Sequence, residues 1–423
     1  MIVPSIDLMN GRAVQLRRGK EFVLDGGDPL ARLDQFAVAG EVAVVDLDAA
    51  MGRGSNAALI RQMVGRGPCR VGGGIRDVDT ARAWLDAGAT KVMIGTALSP
   101  EFCRALPRNR VVAAVDAEQG EVVVDGWRRR TGASVLERIH ELRPFVGTFL
   151  VTQVEREGQM GGCDVTAVSA AVGAAGDARV TAAGGITTPA EVAELDRIGA
   201  DAQVGMALYT DRLSLGDAVA APLVRPLPGD VWPTVVCDAS GSALGLVWST
   251  RQSVARAVTE RRGIYWSRSR QALWVKGESS GNTQQLLRVD LDCDRDALRF
   301  TVRQRGAGFC HLERPSCWPT QFHLDDLERV VAQRAARPEA GSGTAKLLAE
   351  PSLLAAKLRE EAGELADAAT RDQVVEEAAD VLYMTLVALA RGGGSLYEVH
   401  GALARRHGAV TRRPMTAKPG AVP

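Results

Sequence analysis

The sequence predicts three successive domains: a (β/α)8 barrel, then a small β-rich domain, then an all-α helical domain. Three observations lead there. Residues 1–221 alternate short β-branched runs with Ala-rich helical stretches, the pattern of a parallel α/β fold. That half also repeats itself in order: Val3-Pro4-Ser5-Ile6-Asp7 returns as Ala113-Ala114-Val115-Asp116, Gly73-Gly74-Ile75 as Gly184-Gly185-Ile186, and Gly95-Thr96-Ala97-Leu98 as Gly205-Met206-Ala207-Leu208. After a break at Pro222, Pro226 and Pro228, which can continue neither helix nor central strand, the text turns first to short Trp- and Val-rich strands and then to helical periodicity. A chain of 423 residues needs more than one core. The expected bounds are 1–221, 230–319 and 322–410.

The first domain's strands fall at Met1 to Leu8, Val42 to Asp46, Lys91 to Ile94, Val111 to Asp116 and Thr148 to Thr152. A barrel carries its chemistry at the C-terminal ends of its strands, where Asp7 and Asp116 stand. Two-fold repetition places these carboxylates opposite each other, able to divide into acid and base. Gly73-Gly74 and Gly184-Gly185 each follow a strand and precede a helix, where bare backbone amides can hold a phosphate. Glycines also serve tight turns, but duplication favours binding, and two such sites imply a substrate with two phosphates. Gly205, the repeat of Gly95, joins them.

The middle domain carries strands at Gly263 to Ser267 and Ala272 to Val275. Arg268, Arg270 and Lys276 lie close in sequence, a candidate nucleotide-phosphate cradle. Downstream, Cys293, Cys310 and Cys317 suit zinc, whereas Asp292, Asp294 and Asp296 suit a hard ion such as magnesium. On a strand the three aspartates would point one way and Cys293 the other. His311 is a candidate proton carrier.

In the last domain, helical stretches run from Ser352 to Ala369 and from Asp372 to Ala390, with Arg337 to Thr344 a loop. A final helix opens on Ser395-x-x-Glu398 and stops at Gly408. Glu361 and Glu364 share one helix face, and Glu377 and Asp380 another. Four facing carboxylates repel unless cations hold them. Leu382, Tyr383 and Leu386 mark the second helix as largely buried. The tail beyond Arg412 is read as frayed.

Bulk properties exclude several classes. With 51 basic and 51 acidic residues, nothing predicts a nucleic-acid surface or an anionic membrane partner. No leader-like or long apolar run opens the chain, and an odd, scattered set of 7 cysteines argues for a reducing compartment, so a cytoplasmic location is expected.

Ile6-Asp7-Leu8-x-x-Gly11, Val71-Gly72-Gly73-Gly74-Ile75-Arg76, Val115-Asp116 and Ala183-Gly184-Gly185-Ile186 resemble the histidine-pathway aldose-to-ketose isomerases. That resemblance implies a metal-free Amadori rearrangement with Asp7 as base and Asp116 as acid, and it aligns Thr152 with a strand-six threonine. Gln153, Glu157 and Gln159 depart from the family pattern. Trp274-x-Lys276-Gly277-Glu278-Ser279-Ser280-Gly281-Asn282, with Asp292 to Asp296 and Cys310-His311-x5-Cys317, resembles the phosphoribosyl-AMP cyclohydrolases. It implies Zn2+ on the thiols, Mg2+ on the aspartates, and a homodimer with shared sites. Thr344-Ala345-Lys346-Leu347-Leu348 with the paired carboxylates resembles the phosphoribosyl-ATP pyrophosphohydrolases and implies Mg2+-assisted release of pyrophosphate. The three implied reactions are consecutive, encoded in reverse order, so a trifunctional enzyme acting on small phosphoribosyl nucleotides is expected. Two alternatives stay open for the barrel: an inactive scaffold, or an isomerase that also accepts the analogous tryptophan-pathway substrate.

Overall fold

The computed structural model describes residues 1–306, 308–318 and 322–411; the tail beyond Arg412 lies outside the described residues. The chain divides into two compact units, one comprising residues 1–317 with the chain from Arg405 onward, the other residues 318–404.

The first half is a closed barrel. Its strands in chain order are β1 (Ile2–Met9), the hairpin pair β2 (Arg12–Arg17) and β3 (Glu21–Gly27), β4 (Val42–Asp46), β5 (Cys69–Gly72), β6 (Lys91–Ile94), β7 (Val111–Glu118), the hairpin pair β8 (Glu121–Val124) and β9 (Arg129–Ser134), β10 (Thr148–Gln153), β11 (Arg179–Ala183) and β12 (Ala200–Val204). Eight of them, β1-β4-β5-β6-β7-β10-β11-β12, pair in parallel and close the ring through β1–β12 and β10–β7. Val3, Ala43, Met93, Val112, Leu150 and Ala183 fill the barrel interior, and a larger apolar layer lies between strands and helices. The helices start where the sequence supplies caps. Asp77 accepts from the Thr80 amide, and Thr188 and Glu191 form a reciprocal capping box.

The glycine pairs have a packing reason of their own. Gly73 and Gly184 adopt φ of +91° and +105°, and a Cβ on either would stand 2.2 Å from the Asp46 carbonyl oxygen or 2.6 Å from that of Gln153. The repeated glycines therefore let the loop after the preceding strand close over them, once in each half.

Beyond the linker come β13 (Trp232–Cys237), β14 (Ala243–Ser249), β15 (Ile264–Ser267), β16 (Ala272–Val275), β17 (Gln284–Leu291) and β18 (Leu298–Gln304). They form one sheet in the order β16-β15-β14-β13-β18-β17, in which only β13–β18 is parallel. Helix Arg251–Glu260 packs on it over Val254, Ala257 and Val258, and Tyr265 and Phe300 are fully buried in its core. Arg251 seals the join to the barrel by donating to the carbonyls of Ala220 (2.5 Å), Ala221 (3.0 Å) and Leu223 at the end of helix Leu215–Ala220.

The second unit consists of helices Leu324–Ala336, Gly343–Ala349, Pro351–Asp367, Arg371–Arg391 and the first turns of Leu396–Gly408. Val331, Leu347, Leu354, Met384 and Val387 form its core. Helix Arg371–Arg391 is buried on one side only. Leu386 is inside, but Leu382 is 44% exposed and Val374 and Val375 are exposed as well, which corrects the expectation of a largely buried helix.

Candidate active sites

At the barrel mouth, Asp7 and Asp116 occupy equivalent positions near the ends of β1 and β7. Burial pushes the Asp7 carboxyl up to about 6, against a hydrogen bond from Ser5 Oγ at 3.2 Å. Asp116 is also raised by burial, opposed by Trp127 Nε1, which donates to its Oδ2 at 2.8 Å, and by Thr152, its neighbour across β10. A third carboxylate joins them. Glu157 follows the turn Val154–Arg156 after β10, and burial, then Asp7, then Asp116, push it to about 8. The mouth thus holds one carboxyl that is ionised at neutral pH and one that keeps its proton.

Two of these groups were missed as site residues from sequence. Trp127 rides on the turn between β8 and β9, where Asp125, Gly126 and Trp127 all have positive φ, and its ring lies against Gly19 of the β2–β3 turn. The signal was the Asp-Gly dipeptide before an aromatic residue. Glu157 showed only as a departure from a family pattern. Of the proposed phosphate contacts, Gly73, Gly74, Gly184 and Gly185 lie in the βα turns as expected, and Gly205 caps helix Met206–Tyr209.

In the β-rich domain, the aspartates stand in a turn and not on a strand, because β17 ends at Leu291 and Arg295 adopts φ +66°. The turn closes when Asp292 Oδ1 accepts from the amides of Asp296 (3.0 Å) and Ala297 (3.1 Å). It still brings Asp292, Asp294 and Asp296 together, with one carboxylate oxygen of each within 4.8 Å of the others. Burial and the other two aspartates raise the Asp296 carboxyl, so a cation fits the set.

The thiols divide differently. Cys310 and Cys317 share a hydrogen bond, and burial followed by Cys310 raises Cys317. Cys293 is exposed, near Asp294 Oδ1 at 3.9 Å, and the three sulfurs do not form a close ligand group among the described residues. Within one chain the donor set is two thiols plus a separate third. His311 is exposed beside Cys310, Nδ1 to Sγ 3.9 Å.

The basic trio is not one cradle. Arg268 and Arg270 are exposed on the turn between β15 and β16, each over a tryptophan ring, Trp248 at 4.1 Å and Trp274 at 6.0 Å. Lys276, at the other end of β16, is only 6% exposed, packed on Trp274 and Phe309 beside the Cys310–Cys317 pair. Sequence spacing hid this separation, since four residues of strand intervene.

In the helical unit, Glu361, Glu377 and Asp380 offer oxygens within 4.8 Å of one another. Glu361 is 7% exposed and is met by Lys357 at 3.1 Å. Glu364 lies outside that close trio but is raised by burial and by Glu377 and Glu361. The set fits a divalent ion.

Comparison with known proteins follows the same division. A family model described as histidine biosynthesis protein matches residues 1–214, one for phosphoribosyl-AMP cyclohydrolase residues 245–319, and one for phosphoribosyl-ATP pyrophosphohydrolase residues 324–407. A histidine biosynthesis trifunctional protein of Saccharomyces bayanus is 43% identical over 202 residues, covering 48% of this chain and 25% of that protein. A histidine biosynthesis bifunctional protein of Schizosaccharomyces pombe is 41% identical over 207 residues, 49% of each. A phosphoribosyl imidazole-4-carboxamide isomerase of Methanosphaerula palustris is 35% identical over 233 residues, covering 52% of this chain and 98% of that protein. The matches thus span between a quarter and a half of the fungal relatives' length. Through its barrel the chain belongs to the histidine biosynthesis protein family, with a cyclohydrolase domain and a pyrophosphohydrolase domain following in that order.

Proposed function

We propose that this chain is a trifunctional enzyme of histidine biosynthesis. It removes pyrophosphate from phosphoribosyl-ATP, opens the purine ring of the resulting phosphoribosyl-AMP, and isomerises the product aldose to the ketose. One observation carries the reading: chemically different candidate sites fall within three matched segments, one of histidine biosynthesis and two named for phosphoribosyl-AMP and phosphoribosyl-ATP, of which the second gives the first on loss of pyrophosphate.

In the barrel, Asp7 is the base that takes the proton from the sugar carbon next to the imine, and Asp116 is an acid for the ring oxygen. Glu157, protonated at neutral pH, is a second proton donor in the same mouth. Thr152 and Trp127 hold Asp116 in place. The backbone amides after β5 and β11, with Gly205, hold the two phosphates. The convergence of Asp7, Asp116 and Glu157 in one mouth, with the carboxyls raised by burial, favours catalysis over the scaffold alternative.

In the later domains, Cys293, Cys310 and Cys317 would hold Zn2+, and Asp292, Asp294 and Asp296, like Glu361, Glu364, Glu377 and Asp380, would hold Mg2+. When bound, zinc would supply an activated water for ring opening, and magnesium would counter phosphate charge. His311, beside the thiols, would carry a proton; Arg268 and Arg270 on their turn, and separately Lys276 beside the thiols, would counter substrate charge. The separation of Cys293 from the other thiols supports a homodimer in which each zinc site takes sulfur from two copies, and exposed Val374, Val375 and Leu382 supply a second apolar face for it. Seven free cysteines, and no helix among the described residues long and apolar enough to cross a membrane, support a reducing cytoplasm.

The test is to supply purified protein with phosphoribosyl-ATP, Mg2+ and Zn2+ and follow products by liquid chromatography that separates the aldose from its ketose isomer, with mass spectrometry to identify each intermediate. Appearance of the ketose is expected. Arrest at the ring-opened aldose would sink the barrel's assignment, and arrest at phosphoribosyl-AMP that of the β-rich domain.

A further inference from the structure

The turn that carries Asp292, Asp294 and Asp296 is held from outside its own domain. Arg295, the residue between two of the aspartates, turns its side chain away from them and onto the barrel. Its Nε and Nη2 donate to Asp196 Oδ2 at 2.9 Å and Oδ1 at 3.1 Å, a bidentate pair with side chains 18% and 8% exposed. Its Nη1 donates back to the Asp292 carbonyl at 2.6 Å. Asp196 lies in the last turn of helix Pro189–Arg197, just before β12, so this anchor lies at the barrel's base, away from the mouth. The same carboxylate also accepts from the Met1 amine at 2.8 Å.

The linker holds the turn from a second side. The Val224 amide donates to the Arg295 carbonyl at 3.0 Å, and Arg225 donates to the Asp294 carbonyl and to its Oδ2, both at 3.0 Å. Arg295 needs these restraints. At φ +66° a bulky side chain is in a conformation that persists only when its surroundings over-determine it. A partly buried bidentate pair fixes direction as well as distance. Remove its counter-ion and the guanidinium is left unpaired beside the Asp292 carbonyl, so that the turn keeps only its Asp292 hydrogen bonds and the linker contacts to hold the three carboxylates converged.

We propose that Arg295 is a positioning residue, through which Asp196 at the base of the barrel sets the geometry of the aspartate trio in the neighbouring domain. The inference rests on reading that trio as a divalent-cation site.

Mn2+ titration of the full chain, with free ion followed by electron paramagnetic resonance, tests it. Asp294→Asn identifies the trio's share of the binding. Asp196→Asn and Arg295→Ala are each expected to weaken that share by about tenfold, the lower end for outer groups that orient metal ligands. The double variant should bind no more weakly than either single one, and Arg295→Lys should recover part of the loss. Isomerase turnover should be unchanged in all of them, which also shows that the barrel is folded. Because Asp196→Asn alone touches the Met1 contact, agreement between the two single variants assigns the effect to the pair. Wild-type Mn2+ affinity in both, even with a lowered melting temperature, would reduce the pair to domain adhesive and overturn the proposal. If Asp294→Asn changes no Mn2+ binding, the cation reading itself fails and the proposal falls with it.

Discussion

Glu157 keeps its proton because burial opposes its charge and the neighbouring Asp7 and Asp116 carboxyls add to that opposition, in that order. The consequence for stability has a definite sign. Below about pH 4.5 the folded and unfolded chains are both protonated there, while between about 4.5 and about 8 only the unfolded chain ionises, so the barrel loses stability as pH rises through that window. Glu157→Gln should therefore melt higher than the parent at pH 8.5 and the same at pH 4; an equal gain at both would show that the carboxyl is not the cause. Catalysis should respond to the same groups. With Asp7 needed ionised and Glu157 needed protonated as the second donor, kcat/KM is expected to be bell-shaped with limbs near 6 and 8, and Glu157→Gln should move the alkaline limb. Asp116→Asn should slow the step by about 100-fold or more, the usual worth of a positioned acid. Asp7 and Asp116 were legible because a repeat and two strand ends located them. Glu157 was not, since a short turn after a strand has no periodicity to read.

Elements show where a sequence pattern under-determines its meaning. The paired glycines could be read as phosphate sites or as turns, and the structure supplies a packing need that exists whether or not phosphate binds: the backbone of Asp46 and of Gln153 occupies the space a side chain would take. Gly73→Ala should cost roughly 1–3 kcal/mol from backbone strain alone, before the clash is counted. Gly173→Ala, inside helix Val165–Ala175 with open space around it, should gain about 0.5–1 kcal/mol; chemical denaturation of the two variants separates local geometry from a general effect of added methyl groups. The aspartate segment taught the opposite lesson. Alternation suggested a strand, yet the trio converges in a turn, because Arg295 takes a left-handed conformation that period-two patterning cannot report. Helix Arg371–Arg391 was located to within a residue or two, but its apolar residues did not reveal which face stays open. Glu377→Gln on that helix should abolish Mg2+-dependent pyrophosphate release and leave ring opening of supplied phosphoribosyl-AMP intact, as a coupled pyrophosphate assay would read.

At the scale of the whole molecule, sharing of zinc sites between copies has a direct check. Cys293→Ala and Cys310→Ala chains should each be inactive in ring opening, and mixing them should restore activity that neither has alone; no recovery on mixing, with both proteins dimeric by mass, would place all three thiols in one chain. The order of the three domains was legible from composition and motifs alone. What could not be read was that the first two are not independent. Arg251 seals one end of the linker onto the barrel's last helix, and Arg295 pins the far side of the sheet to Asp196. The chain therefore resists treatment as beads on a string: a gene divided at Pro226 would release the β-rich domain with an orphaned guanidinium and an uncovered seam, and even a cut after Cys317 would part the barrel from its own segment beyond Arg405, where Arg110 donates to the Gly408 carbonyl and Asp86 accepts from the Val410 and Thr411 amides.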